Sequence, residues 1–449
     1  MQQINSDLID LALTAEVPPQ KLVVAFSGGL DSCVLLHLVK TWQRSHSHIE
    51  IQALHVNHQL QPDADQWQQH CQQLCQQWDI PFQAARVVVD TAQASLEQAA
   101  REARYRVFEK HLKPNQLLLL AHHRDDQAET LLQRLARGSG PLGLGAMTTL
   151  SQRRSMTLVR PLLECDRQQL ERYARCHDLL WVEDPSNQAD QHERNFLRNQ
   201  VLPLWRQNRP QLNVALARSA RLCRESVQLL DDLAALDLGD PREDGGLAVA
   251  CLTKLNPVRQ HNLLRYWIRR QDRSLPSEAI LSRIIPEVVL AQKDAQPQME
   301  WGEMLLRRFK GVLYVLPRGI AQFTAFESSL SNTILSGGVV DCSYGQLGFL
   351  ATKQPSCESV SLGVQACSSQ PLRVGGYRVG EAARPLGRPS KQIKRWLQDY
   401  QVPPWLRHLW PVLYCGDRVA AVPGLFVCQD FQPQGGSDSI QLSWQWRLG

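Results

Sequence analysis

Ser27-Gly28-Gly29-Leu30-Asp31-Ser32 follows directly on the apolar run Leu22-Val23-Val24-Ala25-Phe26, and its residue types are those of an anion cradle. Gly28 and Gly29 carry no Cβ, so the backbone can turn through positive φ and bring its N–H groups close to a phosphate. A helix opening near Asp31 adds the positive end of its dipole, and Ser27 and Ser32 add hydroxyl donors. The loop is not a Walker loop, because no Gly-Lys-Ser/Thr follows, and it lacks the G-x-G-x-x-G of dinucleotide turns.

A second group has the opposite sign. Asp126 and Glu129 share a helix face just after His122-His123. Such a pair can hold a divalent cation, seat a cationic amine, or simply complement the helix dipole. Arg101 and Arg104 share a face in the same way, either as anion contacts or as a solvated stripe beside Glu97. His55-Val56-Asn57-His58 sets imidazoles and an amide where an adenosine can lie; without an acid or Cys at ligand spacing it is a poor metal site. Cys71 and Cys75 are four residues apart, not the Cys-x-x-Cys of redox or sulfur-transfer centres, and read as helix-face thiols.

Arg137 precedes a glycine-rich stretch over 138–145, and Arg194-Asn195-Phe196-Leu197-Arg198 opens an Arg-dense region that suits a phosphate backbone or a solvated helix face. Near the end of the chain Lys391, Lys394 and Arg395 lie off the apolar stripe of Ile393, Trp396, Leu397 and Tyr400. With Arg407 they form a candidate nucleic-acid face, while the aromatics read as core.

The elements that must position these residues follow from the hydrophobic pattern. Apolar runs at 22–26, 51–56, 82–89 and 117–121 alternate with longer helical stretches, the βαβ rhythm of an α/β, doubly wound, mostly parallel sheet. Ligands of such sheets sit at the carboxyl ends of strands, where the Ser27 loop, His55, Asn57 and His122 fall, with Arg101 and Arg104 on a following helix. Ser95 with Gln98 reads as a capping box for that helix, and Asp184-Pro185-Ser186-Asn187 as a turn. The predicted division is an α/β domain over 1–211, a mainly helical domain over 212–325 and a small α+β domain over 335–449.

The 449 residues, 43% hydrophobic and 21% charged with a net charge of +5, belong to a multidomain globular chain with a mild preference for acidic partners. Twelve scattered Cys and a polar N-terminal stretch predict reduced thiols and a cytoplasmic location, and no apolar run approaches a membrane span.

Ser-Gly-Gly-x-Asp-Ser resembles the PP-loop of the N-type ATP pyrophosphatases. The fuller series resembles the tRNA(Ile)-lysidine synthases. It comprises the Ser27 loop, His55-Val56-Asn57-His58, Ala100 to Tyr105, Ala121 to Thr130, Arg137-Gly138-Ser139-Gly140, Asp184-Pro185-Ser186-Asn187 and Arg194 to Arg198. The stretch around Lys391, with Ala420-Ala421-Val422-Pro423-Gly424, is similar to the tRNA-binding C-terminal domain of that family. The resemblance implies ATP and Mg²⁺ as cofactors and, as partners, free L-lysine and a tRNA(Ile) with a CAU anticodon, with no protein partner expected. In the implied reaction the 2-oxo group of the wobble cytidine attacks the α-phosphate, pyrophosphate leaves, and the lysine ε-amine displaces AMP. Ser27, Gly28, Gly29, Leu30, Asp31, Ser32, His55, Asn57 and His122 would then bind ATP, with Asp31 a possible Mg²⁺ ligand. Asp126, with Glu129, would seat the amine and take its proton, and Arg101 or Arg104 would meet the α-phosphate or the lysine carboxylate. Arg137, Arg194, Asn195, Arg198, Lys391, Lys394, Arg395 and Arg407 would contact tRNA. The alternatives are a PP-loop tRNA thiolase, which the missing Cys-x-x-Cys opposes, and a nucleotide-responsive RNA-binding protein without chemistry.

Overall fold

The computed structural model describes residues 4–13, 19–59, 61–89, 96–183, 193–242, 244–292, 295–322, 324–330, 334, 337–342, 345–352, 360–367, 370–433 and 438–446. The chain forms two compact units, Met1–Leu229 and Leu230–Gly449. The Ser95 cap and the turn at Asp184 lie outside the described residues.

The first unit opens with a short helix α1 (Asp7–Ala12), followed by β1 (Lys21–Ala25), α2 (Leu30–Gln43), β2 (Glu50–Asn57), α3 (Ala64–Gln77), β3 (Phe82–Arg86), α4 (Leu96–His111), β4 (Gln116–Leu119) and α5 (Arg124–Ala136). After the short α6 (Pro141–Leu144) come β5 (Leu150–Arg153), β6 (Met156–Val159) and α7 (Arg167–Cys176). The strands form one sheet in the order β3-β2-β1-β4-β6-β5. All neighbours are parallel except the β5–β6 hairpin, which the sequence reading did not anticipate.

β1 lacks alternation because both its faces are buried. Leu22 and Val24 pack into a core with Cys33, Leu36, Leu74 and Leu170 from α2, α3 and α7, while Val23 faces Tyr105 and Phe108 of α4 on the other side. The chain leaves β1 toward β2 on one side, and β4 pairs on the other. The carboxyl end of β1 is therefore the point where strand order reverses, and the crevice there belongs to the Ser27 loop.

Beyond α7 a helical run comprises α8 (Glu193–Phe196), a π-helical turn Leu197–Val201, α9 (Leu202–Asn208) and the long α10 (Leu212–Leu238). Leu202 and Leu212 pack on Ala128, which docks α9 and the start of α10 against α5.

The second unit is more β-rich than the predicted helical middle domain. Its helices α11 (Val249–Thr253), α12 (Pro257–Arg269) and α13 (Glu278–Ile284) cover a four-stranded antiparallel sheet in the order β7-β10-β9-β8. Those strands are β7 (Leu247–Ala248), β8 (Gln298–Trp301), β9 (Met304–Phe309) and β10 (Val312–Pro317). Helical spacing concealed β8 and β9 because their apolar runs are short and interrupted by Glu300, Arg307 and Arg308. β10 divides its side chains between two cores, Leu313 and Val315 entering the middle one and Val312, Tyr314 and Leu316 the C-terminal one. The C-terminal part carries antiparallel sheets of five and four strands and a helix, Ile393–Asp399, that buries Ile393, Trp396 and Leu397. The aromatic stripe is core, as its spacing implied.

Candidate active site

The loop after β1 is organised by its own hydroxyls. Gly28 sits at φ +85°, a conformation open to glycine at little cost. Gly28 N–H donates to Ser32 Oγ (3.2 Å), Ser32 Oγ donates to the Gly29 carbonyl (2.9 Å), and Ser27 Oγ lies 3.1 Å from Ser32 Oγ. Gly29 is the N-cap of α2, so Leu30, Asp31 and Ser32 form its first turn, with Leu30 contributing only apolar anchoring. The loop is also held from behind. The Gly28 carbonyl accepts from the Val182 N–H (2.9 Å) and the Cys33 thiol (3.4 Å), and a Cβ at Gly28 would lie 2.6 Å from Cys71 Sγ. Val182, Cys33 and Cys71 were not recognised from sequence as supports of the loop, since only the fold brings them beneath it.

Two of the expected nucleotide contacts have other partners. Asn57, 2% exposed, donates its amide to Asp65 (2.9 Å) and Gln68 (3.1 Å), and its carbonyl accepts from Gln59 N–H (2.9 Å). These bonds tie the end of β2 to α3. His55 is buried with Nδ1 2.9 Å from the Phe26 carbonyl, so it braces the strand that feeds the loop. Burial, opposed by that bond, lowers its pKa. His58 does face the crevice side chains: its Nε2 accepts from Arg104 Nε at 3.4 Å. Burial and the Arg104 charge push its pKa down to about 4.

The acidic pair is buried and fully engaged. Glu129 is 1% exposed and Asp126 6%. Arg194 donates to Glu129 and Asp126 (both 2.7 Å), and Arg198 donates to Glu129 (2.6 and 2.9 Å) and Asp126 (3.0 Å). The two arginines expected on a tRNA-facing surface are thus folded onto the acids. Burial raises the Asp126 pKa, but His123, Arg194, His122 and Arg198 outweigh it and hold the carboxyl well below the usual carboxylate range. Arg206 reaches Asp125 at 3.2 Å and extends this cationic cover along α9.

α5 begins with a capping box that has a histidine where Ser or Thr is usual. His123 Nδ1 accepts from Asp125 N–H (3.2 Å), and Asp126 Oδ2 accepts from His123 N–H (2.9 Å). The far side of the ring, Nε2, stands 3.6 Å from both Asp31 Oδ2 and Asp126 Oδ2. Burial lowers the His123 pKa, but the carboxylates of Asp126 and Asp31 outweigh it and raise it to about 9. The cap needs a bare Nδ1, so the Asp125 N–H bond opposes that rise, and the capped ring is the neutral Nε2–H tautomer with its one N–H turned toward the two carboxylates.

His122, adjacent, has the reverse environment. Burial, opposed by Asp126, and the charges of Arg160, Arg194 and Arg101 push its pKa down to about 3. Arg101 and Arg104 are exposed on α4; the Arg101 charge acts on His122, and that of Arg194, one of the two arginines on the acids, acts on Arg104. The structure therefore brings together the Ser27 loop, Asp31, Asp126, Glu129 and His122 with Arg101, Arg104, Arg194 and Arg198. Arg137 is exposed and pairs with Glu193 (2.7 Å); Asn195 is half-buried beside Arg194. In the second unit, Lys394 and Arg395 are exposed, Lys391 pairs with Asp399 (3.1 Å), and Arg407 donates to the Val402 carbonyl (2.9 Å).

Comparison with known proteins places these features in a series. The PP-loop domain family matches residues 3–205, the TilS substrate binding domain 247–314 and the TilS substrate C-terminal domain 372–444. The chain is 41% identical to the tRNA(Ile)-lysidine synthase of Serratia proteamaculans (strain 568), over 98% of this chain and 100% of that one. It is 38% identical to the protein of the same name from Photorhabdus laumondii subsp. laumondii, over 95% and 94% of the two chains. For that of Pectobacterium atrosepticum the identity is 38% over 98% of each.

Proposed function

The chain belongs to the tRNA(Ile)-lysidine synthase family, and on that premise we propose how its residues divide the reaction. Its activity is the ATP-dependent formation of lysidine on tRNA(Ile). In our reading residues 1–211 carry the catalytic domain, and the 212–325 and 335–449 segments bind tRNA. The same reading places the enzyme with its tRNA substrate in the cytoplasm; no helix among the described residues is long and apolar enough to cross a membrane.

In the first step the wobble cytidine O2 attacks the ATP α-phosphate. The N–H groups of Gly28 and Gly29 and the hydroxyls of Ser27 and Ser32 hold the departing pyrophosphate, after giving up the bonds they make to one another. Asp31 Oδ1 is a buried oxygen without a hydrogen-bond partner among the described residues, the hard donor that Mg²⁺ requires. No group of three or more His, Cys, Asp and Glu among the described residues could hold a metal, so phosphate oxygens and water would complete the shell. Mg²⁺ bound there supplies neutralisation of phosphate charge.

In the second step lysine's ε-amine attacks C2 of the adenylated base and AMP departs. Asp126 and Glu129 seat the ε-ammonium, while Arg101 or Arg104 receives the lysine carboxylate or the α-phosphate. Asp126 acts by charge, since a carboxyl held so far down is a weak proton acceptor. The proton that the ε-ammonium gives up before its lone pair attacks C2 passes to Glu129 and on to solvent. The acids are already matched by Arg194 and Arg198, so the ammonium enters as these guanidiniums let go, and tRNA phosphates are the natural alternative partner for them. Arg137, Asn195, Lys391, Lys394, Arg395 and Arg407 complete the proposed tRNA contacts.

The observation that supports this reading most is the buried Asp126–Glu129 pair joined through His123 to Asp31 of the phosphate loop. Sulfur transfer is disfavoured because burial pushes Cys71 and Cys75 up to about 12 and Cys33 higher still, which keeps the thiols beneath the loop protonated. The test is Asp126→Asn with ATP, Mg²⁺, labelled lysine and tRNA(Ile): tRNA-dependent pyrophosphate release should persist while label no longer enters tRNA. Undiminished incorporation at saturating tRNA would sink the assignment.

A further inference from the structure

His123 has two separable jobs. Through Nδ1 it caps α5, a task that Ser, Thr, Asp or Asn performs equally well. Through Nε2 it stands at 3.6 Å from a carboxylate of α2 and at 3.6 Å from a carboxylate of α5, and none of the usual capping side chains extends that far. The ring is 1% exposed, so its orientation is set by packing and by these contacts rather than by solvent.

We infer that His123 is a positioning residue for lysine transfer: its imidazole spans the first turns of α2 and α5 and fixes the distance between Asp31, in the ATP half of the site, and Asp126, in the amine half. The inference rests on the reading of Asp126 as the ammonium seat. The surroundings explain why a spacer is needed there. Asp31 and Asp126 are like charges on two separate helices, and their mutual repulsion drives the helix ends apart unless a donor stands between them. Arg194 and Arg198 meet Asp126 on its Oδ1 side, and Arg167 meets Asp31 Oδ2 at 3.8 Å, but each serves one acid of the two. His123 alone among the described residues contacts both. A nucleophile seated on Asp126 and a base adenylated over the Ser27 loop must meet within bonding reach, so a small drift between these helix ends falls on the second step.

Two substitutions separate the jobs. His123→Asn retains an oxygen that can accept the Asp125 N–H, yet its amide stops short of the Nε2 position. His123→Gln reaches that position with an N–H donor. Lysine incorporation into tRNA(Ile) by the full-length enzyme is measured at saturating ATP over a range of lysine concentrations, together with thermal unfolding. The expected result is that His123→Asn and His123→Gln unfold at similar temperatures, that His123→Asn loses about tenfold or more in kcat/KM for lysine, mostly through kcat, and that His123→Gln recovers most of the loss. Wild-type kinetics in His123→Asn, or equal impairment of both variants, overturns the inference. Asp126→Asn run in parallel keeps the two readings apart. If it abolishes lysine use while His123→Asn does not, the spacer alone fails; if it leaves lysine use intact, the seat fails and the spacer with it.

Discussion

Gly28→Ala puts one methyl group into the most constrained point of the ATP loop, and its consequences can be worked out from two separate terms. The first is conformational: at φ +85° an L-residue with a Cβ costs roughly 1–2 kcal/mol relative to glycine. The second is steric. The new Cβ falls 2.6 Å from Cys71 Sγ, and the sulfur has little room to retreat because Cys71, on α3, is fully buried in the core it shares with α2. Nor can the loop slide, since Val182 N–H and the Cys33 thiol hold the Gly28 carbonyl and Ser32 holds its N–H. Overpacking of this kind costs roughly 1–3 kcal/mol, giving a total of about 2–5 kcal/mol. Because the strained atoms are those that face phosphate, ATP affinity should weaken by about tenfold or more, equivalent to roughly 1.4 kcal/mol. Equilibrium ATP binding and thermal unfolding of Gly28→Ala, Cys71→Ala and the double variant close a cycle. The double variant removes the clash and keeps the φ penalty, so it should regain roughly 1–3 kcal/mol over the sum of the singles. Strict additivity would refute the contact argument, and wild-type ATP affinity in Gly28→Ala would refute the assignment of the loop.

Other perturbations follow from the same geometry. Glu129→Gln weakens the charge-assisted bonds from Arg194 and Arg198; it should cost about 1–3 kcal/mol in unfolding and raise KM for lysine more than KM for ATP, as steady-state assays would show. His58 and His122 have folded-state pKa values of about 4 and about 3, below the roughly 6.5 of an unfolded histidine, so the unfolded chain binds the extra protons. Their stability contribution is complete above pH 6.5 and is lost as pH falls toward 4, by up to about 1.4 kcal/mol per pH unit for each; urea melts of His58→Gln between pH 7 and 5 should show a shallower slope than wild type. Lys394→Ala should lower the dependence of log K for tRNA on log salt by about 1 without altering ATP binding, measured by filter binding at several ionic strengths. Trp396→Ala empties a buried site and loses the indole bond to the Ala383 carbonyl, and should destabilise the second unit by about 3–5 kcal/mol in denaturant unfolding.

What the sequence determined by itself was local. An apolar strand without alternation, two glycines and a helix start within eleven residues specify the phosphate loop, because strand burial, positive φ and helix dipole are all properties of near neighbours. The acids at Asp126 and Glu129 and the buried stripe of Ile393, Trp396 and Leu397 were legible for the same reason, through helical spacing. Tertiary structure decided what those groups face. Arg194 and Arg198 meet the acids from 65 to 72 residues away, and no periodicity distinguishes an arginine aimed at a buried carboxylate from one aimed at solvent. Asn57 is consumed by α3, β10 serves two cores at once, and His123 looks like half of a histidine pair until α2 brings Asp31 to its far nitrogen. Side-chain type and spacing set which interactions a residue can make; chain closure over long separations selects the partner, and with it the protonation state on which the chemistry depends.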